Sequence, residues 1–216
     1  MIVCYHRSSS LGTLEFCEQK YFLQYNLSLK DKQNKKALMG TVTHKVMQTL
    51  GDKKVAMKKG LDIVEDEETG KTLTFEQCDD LKLLNDIAFD YYSNAFPELD
   101  MTDADRRKCL SWAEKAVAYQ DGVFDPRNQN VHSTELFFDF EIDEPWAKYE
   151  YLVGGEVIEG NLSIKGTVDL IIDNGNNYYE ILDYKTGKRI NWATGEEKTY
   201  EKLQKDTQLL LYYYAL

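Results

Sequence analysis

The sequence predicts an α/β fold in which an N-terminal helical half packs on a mixed sheet. Apolar residues in the first half recur at helical spacing, as in Val42, Val46 and Leu50. From about residue 133 the apolar runs become short and strand-like, bounded by Gly, Asn and Asp. A last helical stretch, Tyr200 to Leu216, closes the chain.

The elements follow in order. A first helix is expected from Ser9 or Ser10, either of which can cap it, to about Tyr25. Asp31 to Ala37 reads as a polar, lysine-rich loop. A second helix covers about Thr41 to Leu50, with His44 lying off its apolar stripe. Further helices span about Phe75 to Ala95, ended by Pro97, and about Asp103 to Tyr119, which carries Trp112 and Val117. Asp125-Pro126-Arg-Asn is a turn. Strands are expected over about Ser133 to Ile142, Tyr149 to Val153, Leu162 to Ile172 and Tyr178 to Tyr184, and Gly187 to Gly195 is a loop.

At 216 residues and 43% apolar content the chain can bury one substantial core, so a single domain, 1–216, is expected, with a helical insertion at about 52–130 and a core at about 131–216. No apolar run reaches the roughly 18 residues that would span a membrane. The N-terminus lacks a signal-peptide core with a cleavage site. Cys4, Cys17, Cys78 and Cys109 are widely spaced, which reads as reduced thiols in a cytoplasmic compartment.

The net charge of −11 is unevenly distributed. Lys30 to Lys59 holds nine lysines and two aspartates, a local +7, and Asp62 to Asp80 holds eight acids and one lysine, a local −7. A second basic group comprises Lys185, Lys188, Arg189, Lys198, Lys202 and Lys205. Together the basic segments would form a funnel for a phosphate backbone; each alone is more simply a solvated face.

The chemistry concentrates in Gly166-Thr-Val-Asp-Leu-Ile-Ile and Glu180-Ile-Leu-Asp-Tyr-Lys-Thr-Gly187. Each apolar run delivers one aspartate, Asp169 and Asp183, and Lys185 follows the second by two positions. Strand side chains alternate faces, so Asp183 and Lys185 point the same way. A two-residue loop, Gly175-Asn176, would separate the carboxylates. A three-residue loop, Gly175 to Asn177, sets Asp169 opposite Asp183, and that spacing is the one predicted. Two carboxylates among Val168, Leu170, Ile171 and Ile172 repel each other unless one is protonated or a cation joins them. Magnesium or manganese suits such hard oxygen donors. Lys185 then orients water or neutralises charge on a phosphoryl group. The plainer alternative is a salt bridge between Asp183 and Lys185.

The pattern Gly166-x-x-Asp169, Asp183-Tyr-Lys185-Thr-Gly187 and Gln208-x-x-x-Tyr212 resembles the PD-(D/E)XK nuclease superfamily, and most of all its RecB-like branch, which includes the CRISPR-associated exonucleases. Ser8 to Tyr25 is similar to that branch's opening helix, and Gly40-x-x-x-His44 stands where it carries a motif histidine. The resemblance implies a restriction-endonuclease-like core. It implies that His44, Asp169, Asp183 and the Tyr184 carbonyl ligate Mg²⁺ or Mn²⁺, and that Lys185 is the catalytic lysine. Gln208 and Tyr212 would contact substrate or support the site, with Lys188 and Arg189 beside them, and Glu135 resembles an acidic position of the first strand. Some relatives hold an iron–sulfur cluster; Cys17 matches its first ligand, but the other three cysteines are absent, so no cluster is supported. Each residue has a duller reading as well: His44 as a core or surface histidine, Gln208 and Tyr212 as one ordinary helix face, Tyr212 to Tyr214 as core aromatics, and Glu135 as part of an amphipathic strand.

The expected function is a metal-dependent deoxyribonuclease, an exonuclease on single-stranded or frayed DNA in recombination, repair or phage replication, with a helicase or recombination protein as partner. By analogy with the RecB-like branch, residues 52–130 would cover the site and thread a strand end. A metal-dependent RNase and a non-catalytic nucleic-acid-binding module are the alternatives.

Overall fold

The computed structural model describes residues 5–29, 32–187, 197 and 199–215. In chain order the elements are β1 (Tyr5–His6), α1 (Ser8–Phe16), α2 (Glu18–Tyr21), α3 (Lys35–Lys58), β2 (Ile63–Asp66), β3 (Lys71–Thr74), α4 (Leu81–Ala95) and α5 (Asp103–Ala118). They continue with β4 (Val131–Glu141), β5 (Lys148–Val153), β6 (Glu156–Asn161), β7 (Ser163–Asp173), β8 (Tyr179–Leu182), α6 (Tyr200–Leu203) and α7 (Thr207–Ala215). In the main sheet β7 pairs with β1 in parallel and with β8 in antiparallel fashion, and β4 is its other neighbour. The fold is thus α/β with a mixed sheet, as the sequence predicts. The chain divides into two compact units: residues 33–136 with 168–188, and residues 1–32, 137–167 and 189–216.

The first of these units is built around α3. Asn34 caps it by accepting the Ala37 N–H at 2.9 Å. The helix therefore begins six residues earlier than predicted and runs on to Lys58, because a side-chain cap and a continuous buried stripe outweigh the polarity of Lys35 and Lys36. Leu38, Val42, Val46 and Leu50 are buried at 1% exposure or less, so the four-residue repeat is the packing face. They pack with Ala88, Phe89, Leu84 and Ala113 of α4 and α5. Asp80 caps α4 through the Leu83 N–H, and Thr102 with Asp105 forms the capping box of α5. The predicted helix from Phe75 is a short 3-10 turn over Gln77–Asp79 before α4 proper.

The hairpin of β2 and β3 was not predicted, and it answers the acidic segment. Asp66, at its tip, accepts the buried Lys45 ammonium at 2.6 Å, and Glu68 receives the same group at 3.2 Å. Lys53 pairs with Asp79 at 2.6 Å and Lys35 with Asp105 at 2.8 Å. Lys54 and Lys58 donate to the carbonyls of Arg127 and Val131. These five lysines are held within the protein, which corrects the picture of a basic face free to line a funnel.

In the second unit the predicted first helix breaks at Cys17, whose extended backbone (φ −164°) separates α1 from α2; Phe22–Asn26 then forms a π-helical turn. The helix starts at Ser8, and Ser10 stands inside it, accepting the Arg7 N–H at 2.9 Å. Strands β5 and β6 form a hairpin whose two-residue link, Gly154-Gly155, takes φ of +61° and +89°. Gly166 lies under the Phe138 ring, where a Cβ would collide with it. Phe138 meets Tyr212 edge to face at 6.1 Å. The C-terminal helix is interrupted between Leu203 and Thr207.

The Lys45–Asp66 pair sets a stability prediction. Burial works against the Lys45 charge, but its bonds to Asp66 and Glu68 outweigh that and raise its pKa. Burial likewise opposes the Asp66 charge, and Lys45 and Thr69 overcome it and lower its pKa. The pair therefore contributes stability between the two titrations; the contribution fades as pH falls through the lowered Asp66 value or rises through the raised Lys45 value. Lys45→Ala is expected to cost about 3–5 kcal/mol near neutral pH in urea unfolding, since it strands a buried carboxylate. A loss under about 1 kcal/mol would show that the pair is solvated.

Candidate active site

The site is assembled by α3, β8 and the part of β7 from Val168 onward, all within the unit of residues 33–136 and 168–188. Strand β7 carries Val168, Leu170, Ile171 and Ile172, all at 2% exposure or less, so Asp169 enters an apolar layer. The register is Leu170 with Leu182, Ile171 with Ile181 and Asp173 with Tyr179. One further step sets Asp169 opposite Asp183. The loop has the predicted length: Asn174 N–H donates to the Tyr178 carbonyl, and Gly175, Asn176 and Asn177 all take positive φ.

Asp169 is held from two sides. Its Oδ2 accepts the Tyr184 N–H at 2.8 Å and lies 3.3 Å from His44 Nδ1. Asp183 lies 2.6 Å from the Lys185 ammonium, whose side chain is 61% exposed against 12% for Asp183. The ion pair is therefore present, with its cation turned toward solvent. His44 approaches because α3 can. A Cβ at Gly40 would sit 2.9 Å from Thr186 Oγ1, so the glycine gives the segment after Lys185 room against the helix one turn before His44. At Gly51 a Cβ would sit 2.8 Å from Leu170 Cδ1. That gap lets α3 rest on β7.

Glu135 stands in β4 with a left-handed φ of +44°. Burial, and then the Asp169 carboxylate, push its pKa up to about 7, against the pull of Lys45. Asp52, on α3, bonds to the Thr134 hydroxyl and is likewise raised, mainly by burial. Asp169 itself is raised by burial and by Asp183, with His44 opposing. Sequence reasoning missed Asp52, Thr134 and Lys45. For Lys45 and Asp52 the signal is their helical spacing with Gln48, on the helix that also carries the Val42, Val46 and Leu50 stripe.

Buried carboxylates beside an imidazole suit a hard divalent cation, which would offset both the burial that raises their pKa values and the repulsion of their neighbours. As they stand, no three His, Cys, Asp or Glu side chains among the described residues converge to hold an ion. His44 is engaged by Asp169 and Asp183 by Lys185. Of the other predicted residues, Gln208 and Tyr212 belong to the second unit, where the Gln208 amide donates to the Tyr212 hydroxyl at 2.5 Å. Tyr212 is buried in that unit, while Tyr213 and Tyr214 are exposed and are not core aromatics. Lys188, Arg189 and Lys198 lie outside the described residues.

The raised pKa of Glu135 has a consequence for metal-free protein. The folded state binds a proton up to about pH 7 that the unfolded chain releases near 4.5. Stability therefore falls as pH rises through that window. In EDTA, Glu135→Gln should melt above the wild type at pH 8, and the gap should close toward pH 5. A gap independent of pH would remove the buried-acid assignment.

No curated protein and no solved structure matches the chain. A family model of the PD-(D/E)XK nuclease superfamily matches residues 8–216, from the first turn of α1 to the end of the chain. Members of that superfamily are generally hydrolases of nucleic acids that use divalent metals. With the paired aspartates, the following lysine and the mixed sheet in place, the chain belongs to the PD-(D/E)XK nuclease superfamily.

Proposed function

We propose that the protein is a divalent-metal-dependent deoxyribonuclease of the RecB-like branch, acting as an exonuclease on single-stranded or frayed DNA. The observation that carries this reading is the pairing of Asp169 and Asp183 across β7 and β8, with Lys185 two residues beyond. His44, Asp169, Asp183 and the Tyr184 carbonyl would hold Mg²⁺ or Mn²⁺. When bound, such an ion lowers the pKa of water and stabilises charge on a phosphoryl oxygen.

The chain's own groups do the rest. The Tyr184 N–H holds Asp169 in place by donating to its Oδ2 at 2.8 Å. His44, 3.3 Å from Asp169, and Asp183, paired with Lys185, would be among the donors to such an ion. The Lys185 ammonium, the most exposed of these groups, is the one placed to meet a substrate phosphate or orient the attacking water. Burial and the Asp169 carboxylate favour the protonated form of Glu135, and a cation held by Asp169 would shift it toward the carboxylate.

Labelled single- and double-stranded DNA and RNA, incubated with Mg²⁺, Mn²⁺ or EDTA, test the reading. Single-stranded DNA should be degraded from an end with either metal and not in EDTA. Lys185→Ala is expected to lose about 10²–10³-fold in rate, and Asp183→Ala at least as much, with their melting temperatures little changed. Cleavage that survives both substitutions would remove the chemistry; cleavage of RNA alone would make the protein an RNase, and inactivity of every form would make it a binding module.

A further inference from the structure

Next to Lys185 lies a pocket of about 350 Å³, formed by α3, α5, the turn at residues 119–124 and the chain beyond β8. This is the size range of small-ligand sites. Its walls are aromatic and apolar: Trp112, Phe124 and Tyr184, with Met47 beneath. Tyr119 is half exposed at the mouth and stacks on Phe124, with ring centroids 5.4 Å apart and planes 15° from parallel. Tyr119 is the exposed ring of that two-ring stack, and Phe124 is half-buried. The Tyr184 hydroxyl donates to the Phe124 carbonyl at 3.1 Å, and the Tyr184 ring meets His44 edge-on at 6.3 Å. Tyr184 is thus a wall shared by the pocket and the carboxylate site.

The geometry points to a base-stacking subsite: the pocket takes one unpaired nucleobase of the strand whose phosphate reaches Lys185. This inference deepens the nuclease reading and rests on it. Three features select the occupant. Every base has a π-face, and stacking on protein aromatics tolerates any sequence. The described lining carries no carboxylate, while Lys115 and Lys185 stand at its rim, where phosphates on either side of a bound nucleoside would meet them. The pocket also adjoins the proposed chemistry directly, because Lys185 belongs to both. A base paired in a duplex cannot enter without leaving its stack, so the subsite favours single strands.

The test measures binding, with cleavage scored separately. Fluorescence anisotropy in EDTA compares a fluorescein-labelled ten-residue oligothymidylate with an abasic chain of equal length, using the full chain. Wild type should bind the thymidylate roughly tenfold more tightly, within the range expected for one stacked base. Tyr119→Ala and Tyr119→Leu should both lose that preference while binding the abasic chain as before, and Tyr119→Trp should keep it. Tyr119 is half exposed, so folding should be intact, and circular dichroism melts confirm it. Absence of a base preference in wild type, or its persistence in Tyr119→Leu, overturns the subsite. A base preference without cleavage of any substrate in Mg²⁺ removes the nuclease reading and leaves the subsite standing; cleavage without a base preference does the reverse.

Discussion

The unit that carries the site depends on how closely α3 approaches β7. Two glycines of α3 lie at its close contacts, Gly51 against β7 and Gly40 against the chain beyond β8. Gly51 removes the side chain that would strike Leu170, and Gly40 removes the one that would strike Thr186. With those gaps, His44 and Asp52 face strand residues far away in sequence, Asp169 and Thr134. A larger residue at either position would force Thr186 or Leu170 to give way, or the helix to move. The His44–Asp169 contact, already at 3.3 Å, would be the first to open. The glycine in Gly40-x-x-x-His44 is therefore a packing residue that makes its histidine useful.

Charge is arranged around the same helix. An overall −11 looks unsuited to a polyanion ligand. Three of the eight acids in the acidic segment, however, pair with lysines of α3: Asp66 and Glu68 with Lys45, and Asp79 with Lys53. What remains near the site is an excess of buried carboxylate at Asp52, Glu135 and Asp169, beside an exposed Lys185. Repulsion among those acids favours binding a cation there, and the exposed amine favours an anion next to it.

The parts of the fold that local chemistry determines were legible. The spacing of Gly175-Asn-Asn177 between two apolar runs set the register that faces Asp169 with Asp183. The repeat of Val42, Val46 and Leu50 marked the buried face of α3. The parts that depend on distant partners were not. Strand β2 reads as a polar tract, because Asp66 becomes a buried residue only when Lys45 supplies its counter-charge. Strand β6 hides behind Glu156 and Glu159, although Gly154-Gly155 carries the signal of a tight hairpin. Asp52 was lost among lysines, since its partner Thr134 is 82 residues away. The break at Cys17 has no Gly or Pro to announce it; there a sulfur accepts the Lys20 N–H and begins a new helix.

Tyr184 ties these threads together. Strand alternation turns its side chain away from the face shared by Asp183 and Lys185. Its backbone N–H nevertheless fixes Asp169, its hydroxyl fixes the 119–124 turn through Phe124, and its ring edges His44. One residue thus joins the carboxylate pair to the aromatic pocket through three contacts of different kinds. A shift of the turn that carries Tyr119 and Phe124 would be felt at the Tyr184 hydroxyl and passed along a single residue to the Asp169 hydrogen bond. In the proposed reading, the residue that walls the base subsite is thus also the one whose N–H positions the acid beside it.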